Sequence, residues 1–269
     1  MLIIGEKINA SIPSTGKAIA AKDREFLASL ARDQAAAGAD YIDVNAGDGR
    51  EAGSTPVEIM RWLMEVVQGA TDKPLCIDSD DPAVLEAALT TYRGEEAMIN
   101  SVTAEADRLG PIGKIVAEAG ARIIALVMKD AGVPRNVEER IEAADIIMDH
   151  LGGAGVPPQR VYFDPLVLPI SVDTTQGLVT LKTIEALKER YPEAKTVMGL
   201  SNISYGLPGR GIVNRSFMLM AAAAGLDAAI LNPLDARMMG LVRVADMLTG
   251  KDSLCRKYTR AYRKGLLEE

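Results

Sequence analysis

The sequence predicts an α/β protein folded as a single (β/α)8 TIM barrel, one domain spanning residues 1–269. Three observations predict it. Eight short apolar runs alternate with longer stretches whose apolar residues recur with a period near 3.6. The 269 residues suit eight such units, and no linker interrupts them. Nearly every run also ends in a carboxylate or an amide, at the end of the strand where such barrels carry their chemistry. The alternative, an open doubly wound sheet, would want a glycine fingerprint after its first strand, and "IGEKIN" offers none.

The runs follow in order. "LIIG" (2–5) opens the chain, then "YIDVN" (41–45), "PLCID" (74–78) and "AMIN" (97–100). "RIIALVM" (122–128), "VYFD" (161–164), "TVMGLS" (196–201) and "AAILN" (228–232) complete the eight. Helical periodicity fills the gaps at 23–37, 56–68, 82–92 and 174–190. Gly38 and Gly120 stand where helices stop, since glycine enters the left-handed C-terminal conformation without strain. "DDPAVLEAAL" starts as a helix should, with Asp ahead of Pro in the first turn. The last segment, "KDSLCRKYTRAYRKGLLEE", reads as a basic outer helix or tail with a short acidic end.

Composition narrows the function classes. Hydrophobic residues make up 48% and charged residues 25%, a globular balance that can bury a large core. Aromatics are only 4%, so aliphatic side chains and alanine must do the packing. A net charge of −7 argues against a nucleic-acid surface. No apolar run approaches the roughly 20 residues of a membrane span. "LIIGEKIN" lacks the pattern of a signal peptide. Cys76 and Cys255 are far apart and outside any CxxC pair, which points to a cytoplasmic setting with no disulfide, zinc or iron–sulfur site. The single histidine, His150, lies late in "VEERIEAADIIMDHL" and reads as a helix-end residue, which leaves no histidine triad or histidine-rich metal site.

The polar residues at the strand ends are Glu6 and Asn9, Asp43 and Asn45, then Asp78, Asn100, Asp164, Asn202 and Asn232. Helix caps recruit Asp and Asn, so some of these are structural. A ring of six or seven goes beyond what capping requires. A phosphate site would need Gly-rich backbone nests with Lys or Arg. A hard cation takes oxygen ligands, but these carboxylates are interleaved with amides rather than clustered. A neutral heterocycle with N–H and C=O edges fits the pattern better, because carboxylates accept paired N–H bonds and amides match a donor–acceptor edge. A pterin has such edges. Asn202 stands apart within "VMGLSNISYGLPGR": a lone amide at a strand end, followed by a stretch too rich in Gly and Pro for a helix.

"MLIIGEKIN", "DVNAG", "LCIDS", "MINS", "FDPLVLP" and "GLSNISYGLP" occur in this order, and together they resemble the methyltetrahydrofolate–corrinoid protein methyltransferases. The same barrel serves as the folate module of cobalamin-dependent methionine synthase. The likeness covers nearly all of 1–249. It implies that Asp78, Asn100 and Asp164 hold the pterin ring and that Asn202 contacts N5, the nitrogen that carries the methyl group. Gly199 and Ser201 would line the same loop, with Arg210 and Asn214 on a more variable loop beyond. It further implies methyltetrahydrofolate or tetrahydrofolate as substrate, no protein-bound metal, a homodimer, and a separate corrinoid protein as methyl-group partner. The chain has no Asp-x-His-x-x-Gly corrinoid loop; in "DHLGG" (149–153) the spacing is wrong. The segments 11–17 ("SIPSTGK") and 204–211 ("SYGLPGRG") are candidates for the surface that admits the partner.

Three rival readings are weighed against this one. A dihydropteroate-synthase-like condensing enzyme would want basic residues for a diphosphate near the last strands. Here the last strand runs into "AAILNPLDAR", which places Arg237 about a helical turn into the next helix, and no Arg-x-His exists. A non-catalytic folate-binding subunit would need Asp78, Asn100 and Asp164 but not Asn202. A barrel lyase holding Mg²⁺ on Asp78 and Asp164 would depend on metal.

Overall fold

Eight parallel strands close on themselves in chain order: β1 (Leu2–Asn9), β2 (Tyr41–Asn45), β3 (Leu75–Asp78), β4 (Met98–Val102), β5 (Arg122–Leu126), β6 (Val161–Asp164), β7 (Lys195–Gly199) and β8 (Ala228–Leu231). The seam pairs Leu2–Gly5 of β1 with Ala228–Leu231 of β8. The computed structural model describes residues 1–49, 52–129 and 132–267. The acidic end expected after the last helix, Glu268 and Glu269, lies outside the described residues.

An outer layer of helices covers the barrel: α1 (Pro13–Ala20), α2 (Arg24–Ala37), α3 (Pro56–Gln68), α4 (Pro82–Thr91), α5 (Ala106–Ala119), α6 (Val137–Gly153), α7 (Gln176–Arg190), α8 (Arg210–Ala223), α9 (Ala236–Leu248) and α10 (Arg256–Arg263). Their starts are written locally. Thr55 and Glu58 form a reciprocal capping box on α3, and the side chains of Asp23, Asp81, Asn136 and Asp235 each accept a first-turn amide. Gly38 and Gly120 close α2 and α5 in the left-handed conformation, as their positions predict.

Two local expectations are corrected, and a third segment takes a defined form. Most of the segment 11–17, a candidate for the partner surface, forms the start of α1. Pro13 suits the first turn of α1, and Thr15 Oγ donates to the Lys7 carbonyl at 3.0 Å. Arg210 and Asn214 are on the first turns of α8 rather than on a loop. Arg237 is the second residue of α9, because Asp235 caps that helix directly after β8.

Alternation along the strands decides what the barrel encloses. Ile4, Tyr41, Cys76, Met98, Ile124, Tyr162, Val197 and Ala228, one from each strand, form a buried cluster. Two residues on, the same alternation places Glu6, Asp43, Asp78, Asn100, Leu126, Asp164, Gly199 and Ile230 at the C-terminal mouth. The interior is therefore aliphatic and aromatic below and polar above. The intervening outward residues, such as Ile42, Ile77, Ile99 and Phe163, are fully buried under the helices.

Candidate active site at the barrel mouth

A cavity of about 300 Å³ opens at the mouth, lined by Glu6, Asn9, Ser11, Ile12, Asp43, Asp78, Asn100, Gly199, Ser201, Asn202 and Ile230. Eight of the residues singled out in the sequence thus meet around one space. Asn45 lines the two neighbouring hollows. Asn232 lines a small side pocket of about 50 Å³ that it shares with Glu6, Ser201 and Asn214. Asp164 ends β6 beside the cavity without lining it, and Arg210 stands behind the Ser201 turn.

On the β2–β4 side, amides and carboxylates pair across strands. Asn45 Nδ2 donates to Asp78 Oδ2 at 2.9 Å, while Asn45 Oδ1 accepts the Gly47 amide at 2.9 Å. Asn100 Nδ2 donates to Asp43 Oδ1 at 3.4 Å. Asp43 is only 1% exposed. Burial, and then the charge of Asp78, push its carboxyl well above the usual range. Burial also raises Asp78, against the opposing hydrogen bond from Asn45. Glu6 is raised by burial too, with the nearby Lys7 and Arg210 pulling the other way. Among the described residues, no three His, Cys, Asp or Glu side chains are grouped as a metal ligand set.

On the β6–β7 side the backbone does the holding. Asp164 Oδ1 accepts the Leu166 amide at 2.8 Å, and the Gly199 amide favours the charged form of the carboxyl. Burial lifts this carboxyl to about 6, against the two amides and the charge of Arg140. Leu166 itself is in the left-handed region, with φ of +63°. Its carbonyl accepts from Arg140 Nη1 at 3.1 Å and from Thr180 Oγ at 3.0 Å. Sequence reasoning missed Arg140. A signal was available: it sits on α6 in step with the buried Ala143, Ala144 and Ile147, where a charged residue needs a reason.

Asn202 lies on a single 3₁₀ turn, Leu200–Ser204, so the strand end tightens before the Gly/Pro stretch begins. Its side chain is exposed to the cavity and has no hydrogen-bond partner among the described residues. A Cβ on Gly199 would come within 3.3 Å of Asn202 Nδ2, so the glycine leaves the amide its room. Arg210 braces the turn: Nη2 donates to the Ser201 carbonyl at 2.7 Å and Nε to Ser204 Oγ at 2.9 Å. Two of the predicted residues also hold local turns. Asn9 Oδ1 accepts the Ser11 amide at 2.9 Å and Ser11 Oγ at 2.7 Å, and Asn232 Oδ1 accepts the Leu234 amide at 3.1 Å.

Comparison with known proteins agrees with this geometry. The model of the pterin binding enzyme family matches residues 5–232. A methylcorrinoid:tetrahydrofolate methyltransferase of Eubacterium limosum is 38% identical over 98% of this chain and 97% of its own. The methionine synthase of Mycobacterium tuberculosis is 33% identical over 86% of this chain, which corresponds to 20% of that longer protein. Among solved structures, a dihydropteroate synthase of Xanthomonas albilineans superposes with a TM-score of 0.68 at 20% identity, covering 94% of this chain and 93% of its own. One from Clostridium difficile gives 0.71 at 18%, over 92% and 96%. These two likenesses speak for the fold. The chain is therefore an enzyme of the pterin-binding family and belongs with the methyltetrahydrofolate–corrinoid protein methyltransferases that its motifs resemble.

Proposed function

We propose that this enzyme transfers a methyl group between N5-methyltetrahydrofolate and the cobalt of a corrinoid carried on a separate protein. The observation that carries the proposal is the contrast at the mouth: paired carboxylates and amides that match a pterin edge, and one unpaired amide, Asn202, facing the same cavity. The cavity lies at the lower end of ligand pockets, about 300 to 1,000 Å³, room enough for a bicyclic heterocycle, and two further hollows open beside it. The corrinoid, bound by the partner, supplies the metal that takes or gives the methyl group. Every other part of the work falls to this chain's residues.

Asp78, Asn100 and Asp164 bind the pterin, with Asp43 and Asn45 orienting the first two. Asn202 acts at N5. A tertiary amine is a poor leaving group until it is protonated, so N5 takes a proton from solvent and carries positive charge until the methyl group leaves and the C–N electron pair returns to it. The Asn202 NH2 can donate to neutral N5, and a rotation then offers its carbonyl oxygen to N5–H⁺. The interaction strengthens as charge develops, which is how a neutral amide favours the transition state over the ground state. Ser201 and Gly199 shape the turn that carries Asn202, and Arg210 fixes it. The same reading makes the chain one domain over 1–269, working as a cytoplasmic homodimer.

The test is anaerobic mixing of the purified protein with methyltetrahydrofolate and free Co(I) cobalamin. Protein-dependent conversion of the Co(I) absorption to that of methyl-Co(III) supports the proposal. Absence of both conversion and folate binding would return the barrel to unknown purpose.

A further inference from the structure

Arg140 is 0% exposed, yet no carboxylate forms an ion pair with it among the described residues. Its guanidinium is spent on neutral acceptors instead. Nη1 donates to the Pro165 carbonyl at 2.7 Å, to the Leu166 carbonyl at 3.1 Å and to Thr180 Oγ at 3.5 Å. Nη2 donates to Gln176 Oε1 at 3.0 Å, and Nε has no partner. Burying a cation this way is costly. Arg140 holds the Pro165 carbonyl, while Thr180 Oγ, which is neutral, shares the Leu166 carbonyl. What a neutral substitute lacks is the field of a fixed positive charge directed at the carboxylate two residues before Leu166.

We propose that Arg140 is a positioning residue for folate binding: without touching substrate, it locks the turn 164–166 and holds Asp164 in place, as an anion, at the barrel mouth. This rests on the reading of Asp164 as a pterin ligand. The surroundings of Asp164 leave the role to Arg140. From β5 the residue in register is Leu126, from β7 comes the Gly199 amide, and from α7 come Thr180 and Gln176, all neutral. Arg140 on α6 is the charged group that acts on this carboxylate, and it opposes the effect of burial there. Burial lowers the guanidinium only to about 10, so it stays charged at neutral pH.

The experiment uses the full chain and three variants, Arg140→Met, Arg140→Lys and Thr180→Val. It reads methyltetrahydrofolate affinity against pH, kcat, and the titration of the Asp164 carboxyl by carbon NMR without ligand. Arg140→Met should weaken affinity about tenfold or more and leave kcat within about threefold. It should also move the acidic limb of the affinity profile to higher pH, because removing a nearby cation raises a carboxyl pKa. Arg140→Lys, which keeps the charge and loses the fork, should keep the limb near that of the wild type with about a threefold loss of affinity. Thr180→Val should weaken affinity slightly with the limb unmoved. An unmoved limb and an unmoved Asp164 titration in Arg140→Met overturn the proposal, as does an equal shift in Thr180→Val. If Arg140→Met does not fold, the lysine variant decides: a limb displaced far from that of the wild type counts against the role of charge. Wild-type protein that binds no folate would overturn the reading of the site, and the Asp164 titration would then judge Arg140 by itself.

Discussion

On the β2–β4 side of the mouth every amide already has an occupation: Asn45 holds Asp78, and Asn100 holds Asp43. On the β7 side Asn202 has none among the described residues, and Gly199 keeps the space beside it clear. The first arrangement costs nothing to reorganise when a ligand arrives and so suits ground-state recognition. The second leaves a dipole free to answer a charge that exists only during reaction. The difference separates binding from rate within one ring of similar residues.

The comparison breaks most directly at Asn202. Asn202→Ala should slow methyl transfer by about 100-fold or more while folate affinity stays within about tenfold. Equal single-turnover rates for variant and wild type would remove the role given to this amide. Asp164→Ala should do the converse, weakening folate binding by about 10- to 100-fold, the worth of a hydrogen bond to a charged group. A binding titration checks it. With its carboxyl at about 6, Asp164 loses its charge as pH falls through that value. Folate affinity should therefore drop about tenfold between pH 7 and pH 5.

A subtler contrast lies in Gly199. A methyl group there would crowd Asn202 Nδ2, so Gly199→Ala should reduce transfer by about three- to tenfold with little change in affinity. Asn9→Ala and Asn232→Ala should move least. Both side chains accept local backbone amides, so folate affinity should stay within about threefold while stability falls by about 1 kcal/mol, measurable by urea unfolding.

The strands were legible because each apolar run is short and bounded by its own punctuation; the run 161–164 became β6 without adjustment. Asn202 was legible as a lone amide against Gly and Pro. The pairings were not. That Asn45 meets Asp78 on the next strand, and Asn100 on β4 meets Asp43 on β2 with β3 between them, follows from the registers of the closed barrel, which no local pattern in the sequence encodes. Asn9 and Asn232 looked the same as Asn100 in sequence, because an amide that holds a turn and one that pairs with a carboxylate share a residue type and a place at a strand end. Arg140 was lost for a different reason. Its partners are carbonyls of a loop beginning 25 residues away, and backbone acceptors leave no trace in a sequence.

The seam of the barrel joins the two ends of the chain, Leu2–Gly5 against Ala228–Leu231. Glu6 lies just past one edge of that seam and Ile230 within the other, and both line the central cavity. The complete lining therefore exists only when the seam is closed. Contacts so distant in sequence form late and slowly. A ligand that needs the complete lining stabilises the closed barrel over forms in which the seam is open.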